Sequence, residues 1–220
     1  MRAFRDRAEA GERLAAAVAA LGLGDPVVLA LPRGGVPVAV PVARALGAAL
    51  DLLMVRKIGV PGNPELAAGA VVDGPAHQAV FNEDVLRGLG LDRADFDMAV
   101  AGELKVIEAR RARYMGGRAP VDVAGRDAVV VDDGIATGAT VRAALAGLRR
   151  KAPRSVTLAV PVAAPEALAA LEGLVDGVVC LSRPVAFRAV GLHYDRFGQV
   201  TDDEVIAALA AAETDKGDME

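Results

Sequence analysis

The sequence predicts an open α/β domain, with a parallel central sheet and helices on both faces. Three observations carry this. Strand-sized apolar runs and helical stretches alternate through the second half: strand 127–132, helix 139–150, strand 155–162, helix 165–173 and strand 177–182. An earlier pair has the same form, with "PVVLALP" at 26–32 as a buried strand and "VPVAVPVARALG" at 36–47 as its helix. Finally, 53% of the 220 residues are hydrophobic, yet there are only two Tyr, five Phe and no Trp. Such a core is built from Ala, Val and Leu, which suits close packing of helices on a sheet.

Taken in order, residues 2–21 have helical composition, with Phe4, Leu14, Val18 and Leu21 close to one face. In the helix after the first strand, Pro37 suits the first turn, and Pro41 predicts a kink or a late start. "DLLMVRKI" at 51–58 reads as a second strand, and "GVPGNPELAAGA" at 59–70 as a loop, from its Gly and Pro content. Residues 70–82 suggest a short hairpin around Asp73-Gly74. From Arg93 to Tyr114 the composition is helical, ending at Gly116-Gly117. Beyond Pro184 the alternation stops in "VAFRAVGLHYDRFGQVTDDEV", followed by a short Ala-rich helix and a polar tail over 213–220 that is expected to be disordered. No repeat or low-complexity linker divides the chain, so one domain is expected over 1–220, with its core at about 25–182.

Twenty-nine acids against 25 Lys plus Arg give a formal charge of -4. That balance argues against broad binding to nucleic acid or to an anionic membrane, so any anion site must be local. The single cysteine, Cys180, excludes an intrachain disulfide, sits in an apolar run as a core residue, and fits a reducing compartment. The cytoplasm is the expected location. The first 25 residues lack the continuous apolar stretch of a signal peptide, and no apolar run is long enough to span a bilayer. His77 and His193 have no partner at metal-ligand spacing and read as surface or packed residues.

The stretch "VVVDDGIATGAT", Val129 to Thr140, concentrates the chemistry. In open parallel sheets ligands bind beyond the carboxyl ends of the strands, which places Asp132 and Asp133 at that rim. Adjacent carboxylates suit vicinal hydroxyls or a hydrated divalent cation. The "TGAT" that follows falls where a helix should begin, so backbone N–H groups, the Thr137 and Thr140 hydroxyls and the helix dipole would converge on a phosphate. Diol and phosphate side by side describe a ribose 5-phosphate. A Walker B strand would need a GxxxxGK[ST] partner, which does not occur, and a DxD phosphatase needs acids two apart on one side of a strand. An ordinary strand, turn and helix cap would need only one of these acids or threonines.

This stretch resembles the 5-phosphoribosyl-1-pyrophosphate (PRPP) motif of the type I phosphoribosyltransferases: a hydrophobic run, two acids and a TG-T turn. Other segments resemble that family in the same order. "LPRGGVPVA" is similar to its pyrophosphate loop, "VRKIG" to its basic strand end, and "GVPGNPELAAGA" falls at its mobile catalytic loop. "FRAVGLHYDRF" resembles, more loosely, the hood segment over the nucleobase. The resemblance implies a small hood at about 183–212 with a contribution from 1–24, magnesium carried mainly by substrate with Asp132 and Asp133 nearby, and a strained or cis peptide in the pyrophosphate loop. It also leaves room for a homodimer.

Under this resemblance Asp132 and Asp133 bind the ribose, and Ala136, Thr137, Gly138, Ala139 and Thr140 the 5-phosphate. Arg33, Gly34, Gly35 and Lys57 take the pyrophosphate, because glycines let backbone N–H groups approach and cations add charge-assisted hydrogen bonds. A plain turn into a helix is the alternative for the glycines. Arg56 and Lys57 alternate along a strand, so only one can face the site, and Lys57 is favoured. Glu65 is a candidate for proton transfer, with a solvated loop glutamate as the alternative. Phe187, Tyr194 and Phe197 cluster in a chain short of aromatics; Phe187 and Tyr194 are candidates to stack on a base, and hood packing explains them equally. Arg110, Arg111 and Arg113 read as a solvated helix face.

Where the oxopurine branch of the family carries an acid, this sequence has Ala136, as the adenine and orotate branches do. The implied activity is transfer of phosphoribosyl from PRPP to a nucleobase-like nitrogen, in nucleotide salvage. Its rivals are a PRPP-sensing regulator, against which the lack of a helix-turn-helix pattern counts, and a sugar-phosphate-binding scaffold acting through protein partners.

Overall fold

The computed structural model describes residues 3–73 and 78–217. Helix α1 (Arg7–Ala19) leads into β1 (Pro26–Ala30), α2 (Gly35–Leu46) and β2 (Ala49–Leu52). Three antiparallel strands follow: β3 (Val55–Val60), β4 (Asn63–Val72) and β5 (Gln78–Phe81). Helices α3 (Glu83–Leu89) and α4 (Asp97–Met115) cross to β6 (Asp127–Val131), α5 (Ala139–Arg149), β7 (Ser155–Val162), α6 (Pro165–Glu172) and β8 (Gly177–Ser182), and α7 (Asp202–Gly217) ends the described chain.

The central sheet has the order β2-β1-β6-β7-β8, and every neighbouring pair is parallel. The inner strands β1, β6 and β7 are buried on both faces because their side chains alternate between two apolar layers. Val28, Ala30, Val129 and Val131 pack with Leu14, Val18 and Val42 of α1 and α2. Val27, Leu29, Val130 and Leu158 pack with Leu145 and Leu148 of α5 and Leu168 of α6. Each fully buried Leu or Val contributes roughly 1.5–3 kcal/mol relative to exposure. Small residues set how close the layers come: a methyl group on Gly11 of α1 would lie 2.7 Å from the Val38 carbonyl oxygen of α2.

The expected open parallel sheet is therefore present, and the strand at 155–162 coincides with β7. Several elements differ. The run 51–58 is two strands: β2 stays in the main sheet, the chain leaves it at Leu53 and Met54, and β3 opens the second sheet. An unbroken apolar run hides that switch, since both halves favour strand. Residues 59–70, expected as a loop, form most of the β3–β4 hairpin, turning at Pro61-Gly62 with irregular pairing around Gly59. Gly62 has φ +79°, a conformation open to glycine.

β4 and β5 pair with Val72 opposite Gln78, as the hairpin at 70–82 predicts, and its turn, with Gly74 and His77, lies outside the described residues. Helix α2 begins on time and continues through Pro41. Phe4 is buried, but ahead of α1 rather than on it, and Leu21 is exposed beyond its end. The expected disordered tail from Glu213 is helical as far as Gly217, and 218–220 lie outside the described residues. Cys180 is half-buried on the edge strand β8 rather than deep in the core, and burial pushes its thiol upward.

Candidate active site

β1 and β6 are neighbours, and the residues after their carboxyl ends meet. The Leu31 N–H continues the pairing onto the Val131 carbonyl at 2.9 Å. The chain then turns through a cis peptide between Pro32 and Arg33 into α2. This turn touches the acids: a methyl group on Gly34 would lie 2.1 Å from Asp133 Oδ2, and one on Gly35 would lie 2.7 Å from the Val131 carbonyl oxygen. Only glycine allows that approach.

After the acids, a methyl group on Gly134 would meet Val190 at 2.6 Å. The Ile135 N–H donates to the Val162 carbonyl at 2.9 Å, pinning the turn to the end of β7. Gly138, at φ +75°, caps α5 with no side-chain hydrogen bond to the first helical N–H groups. Ala136, Thr137, Ala139 and Thr140 are exposed around it. The turn thus presents hydroxyls and uncapped donors at the positive end of a helix.

Asp132 accepts the Asp133 N–H at 2.8 Å. Burial first, and then the neighbouring Asp133, pushes its carboxyl well above the usual range. Burial also raises Asp133, opposed by Arg7, whose Nε donates to Asp133 Oδ2 at 2.8 Å. Arg7 also donates through Nη1 to the Gly198 carbonyl at 2.8 Å and covers the Phe197 ring, 3.8 Å from its centroid. Together with Arg33, Gly34, Val190 and Gln199 these groups line a cavity of about 540 Å³.

Arg33 stands 3.5 Å from Asp202, the first residue of α7. Asp202 also accepts from Arg113 and from the Tyr114 hydroxyl, each at 2.6 Å. Lys57 lies on β3 and lines a second cavity, of about 660 Å³, with Thr137 and Thr140. Arg33 and Lys57 therefore border separate cavities, one beside Asp133 and one beside the turn at 136–140. Arg56 points elsewhere and pairs with Glu103 at 2.6 Å, as strand alternation requires. The backbone of Glu65 belongs to β4, and its side chain lies outside the described residues.

The aromatic cluster is mainly packing. Tyr194 is only 1% exposed, and its hydroxyl donates to the Asp133 carbonyl at 2.6 Å. It has no open face for a base, so the stacking role expected of it is corrected. Phe187 is half-buried and stacks on His193, with centroids 5.4 Å apart. Residues 3–6 join this unit: the Ala3 and Phe4 N–H groups donate to the His193 carbonyl, and the Asp195 N–H donates to the Phe4 carbonyl.

Arg111 corrects another expectation. Its side chain is 11% exposed and donates to Asp51 and Asp73, tying α4 to the ends of β2 and β4. Arg113 keeps an exposed side chain although it pairs with Asp202. Sequence reasoning missed Arg7 and Asp202. Arg7 sits among several charged residues at the start of a helix, and nothing in its spacing marks it.

An open parallel sheet with helices on both faces, whose rim carries paired acids, a close glycine turn and an uncapped helix start, defines a doubly wound α/β protein. The chain belongs to the phosphoribosyl transferase domain family, whose match covers residues 5–196. It is 47% identical over 215 residues to Rv0571c of Mycobacterium tuberculosis H37Rv and to MT0597 of strain CDC 1551, both provisionally named phosphoribosyl transferases. That match takes in 98% of this chain and 48% of theirs, so the chain spans about half the length of the curated relatives it matches. It is also similar to the crystal structure of TT1426 from Thermus thermophilus, at 49% identity and a TM-score of 0.84, over 96% of this chain and 99% of that one. No helix among the described residues is long and apolar enough to cross a membrane.

Proposed function

We propose that this chain transfers the 5-phosphoribosyl group from PRPP to a nucleobase-like nitrogen and releases pyrophosphate. The observation that carries the reading is the contact of Gly34 with Asp133, next to the uncapped start of α5. Diphosphate donors, diol acceptors and phosphate donors then fall along one rim.

In this reading Asp132 and Asp133 accept from the ribose hydroxyls, while Thr137, Thr140 and the N–H groups of 136–140 hold the 5-phosphate. The anomeric carbon is thereby fixed for attack. Its bond to the pyrophosphate oxygen breaks ahead of formation of the bond to nitrogen, leaving oxocarbenium character on the sugar. The acceptor nitrogen gives up its proton, for which Glu65 is the candidate recipient. Charge growing on the pyrophosphate is met by Arg33 and the backbone of Gly34 and Gly35, and Lys57, which lines the cavity of Thr137 and Thr140, would join them as the β3–β4 hairpin moves. Closure of the hairpin at 59–70 would exclude water from the cation.

Among the described residues no group of three His, Cys, Asp or Glu side chains forms a metal cage, and the two motif carboxylates fit an ion coordinated mainly by substrate oxygens. Magnesium bound in this way would neutralise the diphosphate, with Asp132 and Asp133 beside it. The acceptor would lie against the wall at Val190, Phe197 and Gln199 beside Asp133, with Phe187 as the candidate to stack on it. The test is pyrophosphate release from magnesium and PRPP with purine and pyrimidine bases added singly. Base-dependent release supports transfer, whereas tight PRPP binding without release for any base supports a regulator or a binding scaffold instead.

A further inference from the structure

We propose that Arg7 is a positioning residue for the sugar-binding carboxylate Asp133, making the N-terminal segment and residues 190–200 part of ribose recognition. The proposal rests on the reading of Asp132 and Asp133 as diol acceptors. Three contacts from two separate segments converge on one guanidinium: Asp133 Oδ2 after β6, and the Gly198 carbonyl and the Phe197 ring from the C-terminal segment. With 12% of its side chain exposed, Arg7 is held in a single geometry and borders the same cavity as Asp133 and Gly34. Its Nε donates to Oδ2 and so fixes the orientation in which the carboxylate would accept from a sugar hydroxyl.

The surroundings explain why a cation is needed. Asp133 faces Asp132 on its own segment, the Tyr194 hydroxyl from the C-terminal segment, Gly34 from the β1–α2 turn, and Arg33 across the cavity wall. Two adjacent, largely buried carboxylates do not both ionise readily, and burial drives both upward. Arg7 opposes this at Asp133 and holds its carboxylate by a hydrogen bond, so the ribose would meet one oriented acceptor. The same side chain links residues 3–7 and 197–198 to the motif, so loosening either segment would weaken sugar binding.

The experiment is calorimetric titration of magnesium-PRPP, and separately of magnesium-pyrophosphate, which lacks the sugar, into the full chain, into Arg7→Gln and into Arg7→Lys. Far-UV circular dichroism establishes that each variant is folded. Arg7→Gln is expected to bind PRPP about tenfold or more weakly with pyrophosphate binding unchanged, and Arg7→Lys to recover part of the loss. Equal PRPP affinity in Arg7→Gln would overturn the proposal. So would a loss that is the same for both ligands and the same in both variants, which is the signature of a merely structural role. If the unaltered chain binds no PRPP, the diol reading itself fails and takes this proposal with it; normal binding there with an unaffected Arg7→Gln removes only the role of Arg7.

Discussion

The Tyr194 hydroxyl donates to the main-chain carbonyl of Asp133 at 2.6 Å, so a residue from the C-terminal segment braces the end of β6. Phe4 and Phe197 hold the ring from two sides, with centroids 5.4 and 4.9 Å away. Tyr194→Phe removes only the hydroxyl and leaves a part-buried carbonyl unpaired, at a cost of about 1–3 kcal/mol. Urea unfolding should show that loss together with weaker PRPP binding. Unfolding and binding identical to the unaltered chain would mean that the brace carries nothing.

Asp132 should set function against stability. Burial and Asp133 hold its carboxyl high in the folded chain, so the folded state takes up protons more readily than the unfolded one. The associated stability is present below the ordinary carboxylate range and is lost as pH rises toward the raised value. Asp132→Asn escapes that loss and should melt higher at neutral pH, while the double change with Asp133→Asn should lower turnover at least about a hundredfold with the fold retained. Retained turnover would remove the pair from the mechanism.

Gly34 and Gly47 differ in what surrounds them. A methyl group at Gly34 collides with Asp133 Oδ2, whereas Gly47, at φ +58°, faces open space. Gly34→Ala should abolish PRPP binding by displacing the carboxylate. Gly47→Ala should cost about 1 kcal/mol of stability through its backbone angle alone and leave binding intact. Binding that survives in Gly34→Ala would separate the glycine turn from the site.

Arg111 holds Asp51 and Asp73 together at the junction of the two sheets. Arg111→Met keeps the bulk but strands two buried carboxylates, a loss of about 3–5 kcal/mol. Denaturant unfolding measures it, and a change under about 1 kcal/mol would contradict the structural role.

In acid, Asp127 should matter. Hydrogen bonds from Arg154 first, and then from Ser155, hold its carboxyl far below the usual range. Its stabilisation is therefore present above the ordinary carboxylate pKa and is lost as pH falls through that range toward the depressed value. Asp127→Asn should flatten the acid limb of the melting temperature against pH, and an unchanged slope would contradict this.

The parallel sheet was legible because strand and helix alternate in short, unambiguous runs, as in β6 through β8. The motif was legible because Asp132, Asp133 and the 136–140 turn are contiguous, so one segment carries acids, turn and helix start. The antiparallel hairpin was not legible: Gly59, Pro61, Gly62 and Pro64 look like loop residues, and tertiary packing made strands around them. Arg7, Asp202 and the brace at Tyr194 depend on contacts across more than 60 residues, with no local pattern to reveal them. Arg111 resembles its solvated neighbours in sequence, and only the bend between β2 and β3 turns it inward.

The central claim is that the Asp132–Asp133 pair and the 136–140 turn hold a single sugar phosphate. Phosphorus NMR of PRPP titrated with the chain and magnesium tests it most directly, because the 5-phosphate and diphosphate signals report separately. Saturable changes in both, lost in Asp132→Asn/Asp133→Asn, are the predicted result; signals unchanged at any protein concentration would contradict it.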